Sequence, residues 1–191
     1  DFVVEYGTKL PLDKKIEVKD ISTESELGDK AFIYKVSLSG LTTETPYFYN
    51  IKAVDRKANK MESGVLTFAT AVKDSSSYSF SIIGDTEARP HISDRTSKLI
   101  WGERPNFVLL VGDLTDGGFK EQKFEWNYEY FAGITQIASR VPIYPVAGNG
   151  EADLFWFNQY HPAIPRGGYY KFSYGNADFF MLNSNEEKEF A

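Results

Sequence analysis

The chain has 191 residues, 42% hydrophobic and 25% charged, which excludes a disordered polymer and suits one ordinary domain or two small ones. A formal net charge of -6 leaves no basic surplus for neutralising a nucleic-acid backbone, and no apolar run is long enough to span a bilayer. The absence of cysteine excludes disulfides, thiolate zinc sites and a cysteine nucleophile, whereas a small phosphorylated substrate stays open because a bound cation can supply local positive charge.

Residues 1–71 carry short alternating runs: Phe2 to Tyr6, Ala31 to Leu38, Tyr47 to Val54 and Val65 to Thr70. Clusters of Gly, Pro, Asp, Lys and Thr separate them, and period-two alternation between such turns predicts antiparallel strands in a sandwich. Val72 to Ser77 reads as a polar linker.

From residue 78 to 191 the pattern changes. Ser79 to Ile83 predicts a strand, Ile92 to Gly102 a helix, and Phe107 to Val111 an unbroken apolar strand covered on both faces. Lys120 to Arg140 has a broad apolar helical face, and Pro142 to Ala147 predicts a third strand. Gly168 to Tyr174 and Ala177 to Leu182 are joined by Gly175-Asn176, a hairpin signal. The order predicts a parallel α/β sheet that gains a hairpin.

Each of the first three strands of this part ends alike. Ile83 leads into Gly84-Asp85, Val111 into Gly112-Asp113, and Ala147 into Gly148-Asn149. Ligands gather beyond the carboxyl ends of parallel strands, so three oxygen-bearing side chains converge on one crevice. Gly-Asp and Gly-Asn are also ordinary turn pairs. Three in succession at parallel strands favour the ligand reading, because converging carboxylates call for a cation between them.

Gly84-Asp85-Thr86-Glu87, Gly112-Asp113-Leu114-Thr115-Asp116-Gly117 and Gly148-Asn149-Gly150-Glu151 resemble the first three motifs of the calcineurin-like metallophosphoesterases. Leu38 to Thr42 followed by Thr45 to Tyr49 resembles the corner of a fibronectin type III module, and such a module before the catalytic domain is similar to purple acid phosphatases. The resemblance implies a partial fibronectin type III-like β-sandwich over 1–71, followed by the front portion of a metallophosphoesterase α/β domain over 78–191. The module's first strands and the domain's later histidine motifs are expected to be missing, so the chain reads as truncated at both ends.

By the same resemblance, Asp85 binds a first metal, Asp113 bridges two, and Asn149 binds the second and touches the phosphate. Asp116 and Glu151 hold the loops around them. The implied cofactors are two divalent ions (manganese, zinc, iron or magnesium), and the implied reaction is metal-dependent hydrolysis of a phosphate ester. A location outside the cytoplasm, extracellular or periplasmic, goes with the fibronectin-like partner.

The chain departs from this pattern at three positions. Glu87 stands where the first motif has a metal-binding histidine, and a carboxylate can ligate in its place. Gly150 replaces the third motif's histidine, and glycine has no side chain for general acid work worth roughly 10²–10⁴-fold. Asp116 occupies the position of the tyrosine that colours purple acid phosphatases, so a colourless protein is expected. His91, His161, Arg89 and Arg166 are nearby candidates for which packing or solvation is the default, and the aromatic run Phe155 to Tyr160 suits a loop folded on the core better than a substrate lip. Three functions follow: a weakly active or inactive portion of a phosphoesterase, a related binding or cell-surface protein that has lost catalysis, and, least supported, an adhesion module.

Overall fold

A computed structural model describes residues 1–18, 21–23, 32–166 and 168–185. The chain divides into two compact units, Asp1–Ala71 and Val72–Ala191.

The first unit is antiparallel. β1 (Phe2–Gly7) pairs with β2 (Lys14–Glu17) on one edge and with β5 (Pro46–Val54) on the other. The far edge of β5 takes β7 (Leu66–Ala69) along its first half and β6 (Lys60–Glu62) along its second, while β3 (Ile21–Thr23) and β4 (Phe32–Tyr34) form a separate pair. Val4, Tyr6 and Tyr47 are buried, as alternation on one sheet face requires. The Tyr47 hydroxyl accepts the Thr42 N–H at 2.9 Å, tying the entry of β5 to the chain five residues upstream. The expected strand over Ala31 to Leu38 is shorter: residue 31 lies outside the described residues, and regular pairing ends at Tyr34. β2, β3 and β6 are strands that the sequence pattern did not predict.

The second unit is built on a parallel sheet in the order β10 (Ile143–Val146), β9 (Phe107–Val111), β8 (Phe80–Ile83). β9 is central, and its alternate residues enter two cores. Val108 and Leu110 pack with Trp126, Tyr130, Ile134, Ile137, Trp156 and Phe157 from the helical side. Phe107 and Leu109 pack with Tyr174 and Met181 of the hairpin β11 (Tyr170–Tyr174) and β12 (Ala177–Met181). A strand covered on both faces can dispense with polar residues, which is why Phe107 to Leu110 are all buried.

α1 (Pro90–Glu103) begins with proline, whose fixed φ suits a first helical turn. The expected helix over Lys120 to Arg140 is three consecutive segments: α2 (Lys123–Glu125), a π-helical stretch (Trp126–Phe131) and α3 (Ala132–Ala138). The run Phe155 to Tyr160 is a short helix, α4, with Trp156 and Phe157 fully buried, so it lines the core and not a substrate lip. Gly175-Asn176 forms the two-residue hairpin turn between Tyr174 and Ala177. No helix among the described residues is long and apolar enough to cross a membrane.

Candidate metal centre

Parallel pairing sets the ends of β8, β9 and β10 side by side, so the residues that follow them share one rim. Asp85 and Asp113 both turn the chain in the left-handed region, with φ of 51° and 52°. Asp and Asn enter that region more easily than most side chains, and such conformations persist only where neighbours hold them.

The holding bonds run from loop to loop. The Asp85 N–H donates to the Gly112 carbonyl at 3.2 Å, and the N–H groups of Thr86 and Glu87 donate to the Asp113 carbonyl at 2.8 and 3.2 Å. On the other side, the Gly150 N–H donates to Asp113 Oδ1 at 3.0 Å, and the Gly118 N–H to the Gly150 carbonyl at 2.8 Å. The Asp113 loop is therefore the keystone to which both neighbours are tied.

Close approach explains the glycines. A Cβ on Gly112, which has φ of +86°, would meet the Gly148 backbone at 2.8 Å. A Cβ on Gly150 would run into the Thr115 carbonyl oxygen, and one on Gly148 into the Asp113 carboxylate. In this packing no side chain fits at position 150.

Glu151 is fully buried and holds the same loop. Its carboxylate accepts the N–H groups of Asp113, Leu114, Thr115 and Gly148. Burial raises its pKa, and these four backbone donors oppose that by favouring the charged form.

One carboxylate oxygen each from Asp85, Glu87 and Asp113 comes within 4.8 Å of the others. Burial, and then the charges of Asp113, Asp85 and Asp116, raises the Glu87 pKa. Glu87 Oε2 and the neighbouring Thr86 Oγ1 are buried without a hydrogen-bond partner. Crowded hard-oxygen donors with an unmatched buried oxygen fit a divalent cation, which would relieve both the repulsion and the unmet acceptor.

Asn149 is exposed on the rim and, with Asp113, lines a cavity of about 420 Å³ completed by Val111, Phe180 and Leu182. Asp116 is exposed, while its N–H donates to Glu129 Oε2 at 2.7 Å. The two histidines stand outside the carboxylate cluster. His91 is exposed on α1; His161 packs against Tyr130 and Phe157, and burial lowers its pKa to about 4. Arg89 and Arg166 are exposed. Sequence reasoning passed over Glu129, which is 5% exposed. The signal that could have found it is a carboxylate set between Tyr128 and Tyr130 on an apolar helical face, four residues after Glu125.

The family model described as calcineurin-like phosphoesterase matches residues 78–189, more than half of the chain. Among solved structures, purple acid phosphatase PPD1 from seeds of yellow lupin (Lupinus luteus) superposes with a TM-score of 0.70 at 19% identity, a likeness of fold. The match covers 99% of this chain and 42% of that one, so the present chain spans less than half the length of that enzyme. No curated protein matches.

Proposed function

We propose that this chain, which belongs to the calcineurin-like phosphoesterase family, binds divalent cations at the Asp85–Glu87–Asp113 rim and through them hydrolyses phosphate esters with good leaving groups. The observation that carries the reading is the convergence of those three carboxylates within 4.8 Å. Asp85, Glu87 and Asp113 would hold one cation, and Asp113 with Asn149 a second. When bound, such cations polarise the phosphoryl oxygens and neutralise charge that develops during displacement.

The chain's own residues then divide the remaining work. The Asn149 amide would contact a phosphate oxygen, a role supported by its position in the same cavity as Asp113, and Glu151 keeps the Asp113 loop in register. Position 150 has no side chain to protonate a leaving oxygen. Hydrolysis should therefore favour esters whose alcohol departs as a stable anion. The experiment is a comparison of p-nitrophenyl phosphate, bis(p-nitrophenyl) phosphate and an alkyl phosphate with the Mn²⁺-loaded chain. Turnover confined to the nitrophenyl esters supports the reading, and no turnover on any of them opposes it.

A second reading, a phosphate-binding relative without catalysis, is favoured by the tight seat of Gly150 under the Thr115 carbonyl. It predicts Mn²⁺-dependent binding of inorganic phosphate with no hydrolysis of any ester. For residues 1–71, the antiparallel sheet and the Tyr47–Thr42 bond support a fibronectin type III-like module, and with it a location outside the cytoplasm.

A further inference from the structure

Glu129 and Glu151 are the buried carboxylates among the described residues, and both end on the same loop. Glu151 takes the N–H groups of Asp113, Leu114 and Thr115, and Glu129 takes that of Asp116. Four successive backbone donors are thus met by two carboxylates from separate elements. Burying a carboxylate is costly unless charge-assisted hydrogen bonds offset it, and a simple surface turn could leave its N–H groups to water.

The element that presents Glu129 grips the loop twice. Trp126, from the same π-helical stretch, donates its indole N–H to the Gly118 carbonyl at 3.1 Å. The loop is therefore fixed at Asp116 and at Gly118 by side chains on one turn, and π-helical turns recur at functional sites. Because the Asp113 carbonyl receives the Thr86 and Glu87 N–H groups, any shift of this loop moves the Asp85 and Glu87 carboxylates too.

We propose that Glu129 is a positioning residue for the cation site, holding residues 113–116 so that Asp113 meets Asp85 and Glu87 at ligating distance. The proposal rests on the phosphoesterase reading of this site. It concerns the reach of the Glu129 oxygen and not its charge.

The test uses the full chain as wild type, Glu129→Gln and Glu129→Asp, with two readouts: Mn²⁺ affinity by calorimetric titration, and amide hydrogen exchange of residues 113–118 in the metal-free protein. Gln keeps an acceptor oxygen at the same reach, whereas Asp keeps the charge but withdraws the oxygen by one methylene. Glu129→Asp is expected to speed exchange at Asp116 and weaken Mn²⁺ binding about 10–100-fold, the range for groups that orient metal ligands. Glu129→Gln should restore most of both.

Weak binding by Glu129→Gln with normal binding by Glu129→Asp would overturn the proposal, because charge alone would then matter. Faster exchange with unaltered Mn²⁺ affinity in Glu129→Asp would overturn it as well, leaving Glu129 a purely structural brace. If the wild type takes up no Mn²⁺, the phosphoesterase reading fails by itself. The hold on the loop is then decided by exchange, which supports it if faster in Glu129→Asp and overturns it if unchanged.

Discussion

The loops after β8 and β9 begin alike, each with a Gly-Asp pair and an aspartate at positive φ, yet their polar groups are treated in opposite ways. In the β9 loop the N–H groups from Asp113 to Asp116 all reach buried carboxylates. The β8 loop leans on the β9 loop through backbone bonds and leaves Thr86 Oγ1 and Glu87 Oε2 buried without a partner. The difference separates two tasks. One loop has its backbone N–H groups met within the protein, and the other carries buried side-chain oxygens that no protein group meets.

The sharpest way to break this contrast is Glu151→Ala. It strands four N–H groups, and each buried unmet donor costs about 1–3 kcal/mol. A loss of at least about 3 kcal/mol is expected in urea unfolding at neutral pH, even without metal. Gly150→Ala comes next. Its Cβ must push the Thr115 carbonyl away, so a loss of about 1–3 kcal/mol is expected in the same assay. Gly150→His should accordingly lower stability and not restore a catalytic acid.

Glu87→Gln gives the smallest change but the most telling sign. Burial and the adjacent carboxylates raise the Glu87 pKa, so the metal-free native state holds this proton more tightly than the unfolded chain does. That share of stability is full below the ordinary glutamate range and is lost as pH rises through the raised value. Glu87→Gln removes the loss. With chelator present, its melting temperature should exceed that of the wild type at neutral pH, and the two should converge as pH falls into the ordinary glutamate range. With Mn²⁺ the order should reverse, with affinity about 10-fold weaker. A variant less stable than wild type in chelator at neutral pH would contradict the assignment of Glu87 to the ligand-seeking loop.

Legibility in the sequence followed burial. β9 is an unbroken apolar run because both its faces are covered from Phe107 to Leu110, and the Gly-Asp turn after it is visible because close approach of the Gly148 backbone leaves no room for a Cβ on Gly112. β2 and β6 were not legible, since Lys14–Glu17 and Lys60–Glu62 are polar edge strands held by pairing with β1 and β5 and not by apolar alternation of their own. At the site, Asp85, Asp113 and Asn149 stood out by position after their strands. Glu129 did not, because its partner is a backbone N–H thirteen residues away, a contact that no local spacing encodes. Gly150 was legible only as a departure from the resembling motif, and its close fit appears only when the Thr115 carbonyl is seen above it.

The most direct test is calorimetric titration of the metal-free chain with Mn²⁺, alongside Asp113→Asn. The account predicts saturable binding to the wild type and a loss of at least about 100-fold in the variant, beyond the range for groups that only orient ligands. No binding by the wild type, or equal binding by both proteins, would contradict the claim that this rim is a metal centre.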